Sequence, residues 1–279
     1  MSSTEAFGGN DPESYYDEGL TASMKGDLNR AIHFFHAAVE LQKDFASAYH
    51  QLGKCYLRIG NIDRAISMLG QVTKARPKMT AAQIDLGNAY AINGQDEEAR
   101  ITFNRVLDKD PENRKALIGL ADASFTVCNW ESALQYAQKA QEVGGVNFVT
   151  CYMIGRTAKI MSKVEMSQMA LKKADMILEK FEETNEDKPE GYYLRGEVAF
   201  IQERFNNALE YYRKAEDRMS IDTFYLAYGQ SFSLIDVLAK QGLCLQRLDK
   251  PDRAKDLGER IKQIDPNHPL CNALLDSES

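Results

Sequence analysis

Three consecutive stretches decide the fold: Ala46–Met79 (ASAYHQLGKCYLRIGNIDRAISMLGQVTKARPKM), Thr80–Asn113 (TAAQIDLGNAYAINGQDEEARITFNRVLDKDPEN) and Arg114–Asn147 (RKALIGLADASFTVCNWESALQYAQKAQEVGGVN). Laid one above another, they share a period of 34 residues. Gly53, Gly87 and Ala121 fall at the eighth place, and Ala65, Ala99 and Ala133 at the twentieth. Tyr56 and Tyr90 share the eleventh place; Pro77 and Pro111 share the thirty-second. One period back, Pro12–Phe45 keeps Gly19, Gly26, Ala31, Phe35 and Ala38 in register, and one period forward Phe148–Phe181 keeps Gly155, Leu171 and Ala174, with Ser167 in place of the alanine. Two further copies follow after breaks of phase, carrying Gly196, Ala208, Tyr212 and Ala215, then Gly242, Ala254, Ile261 and Pro266.

Each copy reads as two amphipathic helices, with apolar residues three and four apart, separated by a turn. Gly26, Gly60 and Gly94 suit a left-handed position after the first helix, and Asp27, Asn61 and Gln95 stand near the start of the second. Small residues at places eight and twenty let two helix axes approach closely. The proline near the end of a copy stops the second helix. One helix pair cannot bury its apolar face alone, so copies must stack.

These residues resemble the tetratricopeptide repeat, over roughly Pro12 to Pro266 in seven copies. The resemblance implies an all-α, right-handed superhelical solenoid of antiparallel helix pairs. The copies lie near 12–45, 46–79, 80–113, 114–147, 148–181, 189–222 and 235–268, with insertions near 179–190 and 220–233. Glu179–Glu190 reads as a lengthened second helix followed by an acidic loop. Ser220–Ser233, with Phe224, Tyr225, Tyr228 and Phe232, reads as part of an over-long first helix of the seventh copy, capped by Asp222. Its aromatics either pack on that helix or form a protruding surface. Residues 267–279, with Leu270, Ala273 and Leu274, read as a short capping helix and tail, and 1–11 as a flexible tail.

Composition narrows the function. The chain has 279 residues, 44% of them hydrophobic, so a sizeable core is available. No apolar stretch approaches the roughly 18 residues of a membrane span, and Met1–Asn10 shows neither a basic nor an apolar leader segment. Five scattered cysteines without a CxxC fit a reducing compartment, so a cytoplasmic location is expected. The net charge of −7 argues against a general nucleic-acid binder. That acidity belongs to Met1–Glu18, Glu179–Glu190 and the tail, leaving the repeats slightly basic.

Catalysis finds little material. There is no phosphate-binding glycine loop, nucleophile elbow or HExxH pattern, and the histidines number four. His33, His36 and Glu40 share a helical face that reads as solvated rather than metal-binding. Cys151 and Trp130 read as core residues. The expectation is a protein that is not an enzyme and needs no cofactor or metal.

In the family, first helices line a concave groove through places two, five, nine, twelve and thirteen. Carried onto this chain, the resemblance implies groove positions at His50, Lys54, Arg58, Ile84 and Asn88. It adds Lys115, Ile118, Asp122 and Phe125, then Tyr152, Arg156, Lys159 and Tyr193. Isoleucines and aromatics at such places are unexpected unless the groove is covered; they serve as peptide anchors or pack between neighbouring first helices. Lys54, Arg58, Lys115, Arg156 and Lys159 against Asp122 favour an acidic ligand. The carboxylate clamp of co-chaperones needs Lys and Asn at places five and nine, which no window of three copies reproduces. The function expected is an adaptor or scaffold that binds a peptide segment of a partner protein. The alternative is an assembly subunit that makes homo-oligomers through its ends or through 224–232.

Overall fold

The computed structural model describes residues 11–221, 223, 225–227, 230–268, 271, 274 and 275. The reading of 1–11 as a tail therefore falls outside the described residues but for Asp11, as do Asp222, Phe224, Tyr228, Leu270 and Ala273. The chain divides into two compact units, 1–143 and 144–279.

The first unit holds four helix pairs: α1 (Pro12–Met24) with α2 (Leu28–Leu41), α3 (Ala46–Arg58) with α4 (Ile62–Ala75), α5 (Thr80–Ile92) with α6 (Asp96–Leu107), and α7 (Arg114–Thr126) followed by α8 (Trp130–Gly144). The starts of α1, α3, α5 and α7 repeat the sequence period. Asp11, Asp27, Asn61 and Asn113 cap helices by accepting a backbone N–H three residues on. Second helices α2, α4 and α6 pack against the following first helix, which makes the array continuous within the unit.

The second unit holds α9 (Phe148–Ile160) with α10 (Val164–Glu182), α11 (Pro189–Ile201) with α12 (Phe205–Glu216), and α13 (Leu234–Arg247) with α14 (Pro251–Ile264). Helix α10 runs to 19 residues, against 12 to 15 for the other second helices. Its extra turns bring Glu182 to Arg195 of α11 at 3.0 Å, where Asp175 also meets the guanidinium at 2.9 Å. Part of the acidic insertion is thus neutralised inside the unit.

The second insertion corrects the sequence expectation. Its described residues include two strands in place of a helix: Tyr225–Ala227 (β1) and Gln230–Phe232 (β2) pair antiparallel, with Tyr225 opposite Phe232 and Ala227 opposite Gln230. The cause lies at Ser233, whose backbone is extended. Its side chain accepts from Asp236 N–H, and the Asp236 carboxylate accepts from Ser233 N–H at 2.8 Å. This reciprocal cap starts α13 at Leu234 and prevents it from reaching back.

All seven helix-pair turns place their fifteenth residue in the left-handed region. In three copies it is Gly26, Gly60 or Gly94; in the others it is Cys128, Ser162, Glu203 or Asp249, with φ between 57° and 60°. A side chain there costs about 1–2 kcal/mol, partly offset by the greater unfolded-state freedom of glycine. Ser162→Gly should raise stability by about 0.5–1 kcal/mol and Gly60→Ala should lower it by a similar amount. Urea denaturation of the two variants checks both signs.

Candidate interaction surface

The place-five residues lie between neighbouring first helices and are mostly closed off. His50 is 8% exposed, and its Nε2 lies 2.7 Å from Asp85 Oδ2 on the next first helix. Ile84 is 6% exposed and packs with Phe103, Ala116 and Leu120. Ile118 is half-buried. Four residues further along each helix, Lys54, Asn88 and Asp122 are exposed, as are Arg58 and Lys115. Arg58 Nη1 reaches the carbonyl and hydroxyl of Ser23 at 3.4 Å. Phe125 is half-buried, its ring edge-on to Trp130 at 4.9 Å. Of the expected groove residues of the first unit, those offered to solvent are thus polar, three of them cations; Met24 and Ile92 at place thirteen and Glu13 at place two are exposed beside them.

In the second unit the corresponding residues form a different arrangement. Tyr152 is 6% exposed, stacked on Phe148 at 5.5 Å, with the Arg156 guanidinium 5.4 Å from its ring centre. Lys159 pairs with Glu203 at 2.9 Å. Tyr193 lies under the hairpin, its ring parallel to Phe232 at 4.0 Å with 5° between planes. Phe232 in turn stacks on Tyr225 at 5.6 Å. Burial comes first among the causes that push the Tyr193 hydroxyl far above its usual range, with Glu197 second.

Behind this layer sits Glu197, a buried carboxylate. It accepts from Tyr212 Oη at 2.6 Å, Tyr152 Oη at 3.4 Å and Lys240 Nζ at 2.8 Å. Three successive first helices of the unit, α9, α11 and α13, are tied together by Tyr152, Glu197 and Lys240. Burial and the Glu197 charge together raise the Cys244 thiol to about 12, so it stays protonated. Lys240 escaped the sequence reading. Glu197 stands at place nine, a groove place, so nothing within its copy signalled that it is buried and needs a cation one repeat away.

Two matches to the tetratricopeptide repeat family model fall on this chain, at residues 50–114 and 189–218. This is a tetratricopeptide-repeat protein. Solved structures agree on the fold. A tetratricopeptide repeat protein from Parabacteroides merdae aligns over 96% of this chain and 98% of its own, at 17% identity and a TM-score of 0.65. A chain of the APC/C hetero-tetramer Cut9–Hcn1 aligns over 95% of this chain and 48% of its own, at 15% identity and a TM-score of 0.66. A thermophilic TPR protein of Thermus thermophilus aligns over 72% of this chain and 99% of its own, at 17% identity and a TM-score of 0.57. No curated protein matches in sequence. Among the described residues no helix is long and apolar enough to cross a membrane, and no three potential metal ligands stand together.

In this repeat protein the Glu197 network binds helices rather than offering a free site. Lys240→Met should leave a buried carboxylate without its cation and lower stability by about 1–3 kcal/mol. Adding Glu197→Gln should recover much of that loss, because Tyr212 can still donate to the amide oxygen. A double-mutant cycle in urea measures the coupling.

Proposed function

We propose that the protein is a non-enzymatic adaptor whose inner face binds a segment of a partner protein. The tetratricopeptide fold supports a protein-interaction role in general. The observation that carries the finer reading is the run of exposed polar residues on consecutive first helices of the first unit: Lys54 and Arg58, then Asn88, then Lys115 and Asp122. Cations outnumber the single acid, which favours an acidic segment. Asn88 supplies both a donor and an acceptor to an extended backbone.

The second unit contributes differently. Tyr152 and Tyr193 are committed to packing, and the hairpin occupies the Tyr193 side of α11. Peptide binding is therefore assigned to the first unit, with Arg156 and Lys159 as cations of the second unit's face. Self-association through 224–232 gains no support from the described aromatics, because Phe232 is turned into the unit's core.

A photo-crosslinking side chain at Asn88 tests the assignment in cells. It should form a discrete protein adduct that K54E/R58E diminishes by about tenfold. An equal yield from the same probe at Gln135, on the exposed side of α8, would contradict it.

A further inference from the structure

A second surface lies in the first unit on the side of the second helices. The cleft between α4 and α6 has a volume of about 420 Å³, and α5 forms its floor through Gln83, Leu86 and Tyr90. These three are spaced three and four apart, on the stripe of α5 that meets the second helices rather than the stripe carrying Asn88. Gly70 contributes no side chain, and a Cβ built there meets nothing within 4 Å. The cleft is therefore open beside Gly70, and Leu86 and Tyr90 give its floor an apolar part.

Its rim is basic. Lys74, Arg105 and Lys109 line it together with one acid, Asp108. Pro77 also lines it, and its chain neighbours Arg76 and Lys78 are exposed cations. Lys109 Nζ and Gln83 Nε2 both donate to the Pro77 carbonyl, at 3.0 and 3.2 Å, which holds the loop that carries these charges. Gln83 is 7% exposed, and its Oε1 is buried with no donor.

We propose that this cleft is a second protein-binding site, which takes a short acidic segment carrying one aliphatic or aromatic anchor. The anchor side chain enters over Leu86 and Tyr90. Flanking carboxylates meet Lys74 and Arg105. A volume of this size holds one large side chain with its backbone, and the charge excess selects acids on both sides of it. The site is independent of the inner-face reading, since it uses none of the residues named there.

Fluorescence anisotropy on the full chain tests the proposal. The probe is a labelled peptide amide with a central leucine flanked on each side by acids. K74E/R105E should weaken binding by about tenfold or more, while the same charge change at the exposed Lys172 and Lys173 of α10, K172E/K173E, should alter it by less than about threefold. Replacing the leucine of the probe by glycine should also weaken binding. Unchanged binding by K74E/R105E, an equal loss in K172E/K173E, or indifference to the leucine would overturn the proposal. So would tighter binding of a labelled oligouridylate than of the peptide. Circular dichroism of each variant confirms that the exposed charge reversals leave the helices intact.

Discussion

The structure depends on one contact made inside almost every repeat. The eighth residue of the first helix is a glycine, and a large side chain at place 24 of the second helix fills the space above it. A Cβ on Gly53 would lie 2.5 Å from Leu69, on Gly87 2.6 Å from Phe103, and on Gly155 2.6 Å from Leu171. Phe35 over Gly19 and Tyr212 over Gly196 repeat the arrangement. A glycine inside a helix costs about 1 kcal/mol relative to alanine, and full burial of a leucine or phenylalanine returns about 1.5–3 kcal/mol. Burial wins, which is why a residue so poor for helices recurs in the middle of one. The partner condition is a small residue at place 20: Ala31, Ala65, Ala99, Ala133, Ala208 and Ala254 are all buried. Ser167 satisfies it as well, by donating its hydroxyl to the Gly155 carbonyl at 2.8 Å.

The exceptions obey the same constraint. The fourth repeat has Ala121 and Ala137 at the two places, and its Gly119 instead receives Phe103 from the repeat before. The seventh has glycine at both, Gly242 and Gly258. There the segment after α14 supplies what the repeat lacks, with Leu274 over Gly242 and Leu275 over Gly258. The end of the array is closed by a borrowed side chain. The hairpin follows a related logic: Phe232 lies flat on Tyr193 and seals an aromatic face that solvent would otherwise reach.

Helix pairs, turns and close packing were legible in the sequence because each is set within a single 34-residue copy. Gly60 and Ala65 carry their meaning locally. The hairpin was not legible, because Tyr225 to Phe232 fits helical spacing as readily as strand pairing. What decided it was the reciprocal cap between Ser233 and Asp236, a contact three residues long at the boundary itself. The candidate groove was legible in part. Of the groove residues that the family places imply, Ile84 and Tyr152 are shielded by neighbouring first helices and by side chains from other repeats, which no single copy encodes. The cleft between α4 and α6 was invisible for the same reason. Its Lys74 and Arg105 lie in different copies and come together only through stacking.

Function follows from that stacking. Close approach inside each pair fixes the spacing of successive first helices, and that spacing sets which side chains remain free at the surface. The most direct test compares two glycines in second and first helices of adjacent repeats. A Cβ on Gly70 meets nothing, whereas one on Gly87 runs into Phe103. Helix propensity alone favours alanine at both, by about 1 kcal/mol. If the place-eight contact governs the fold, Gly70→Ala should stabilise the protein and Gly87→Ala should destabilise it by about 1–3 kcal/mol in denaturant unfolding. Stabilisation of similar size by both substitutions would contradict the account.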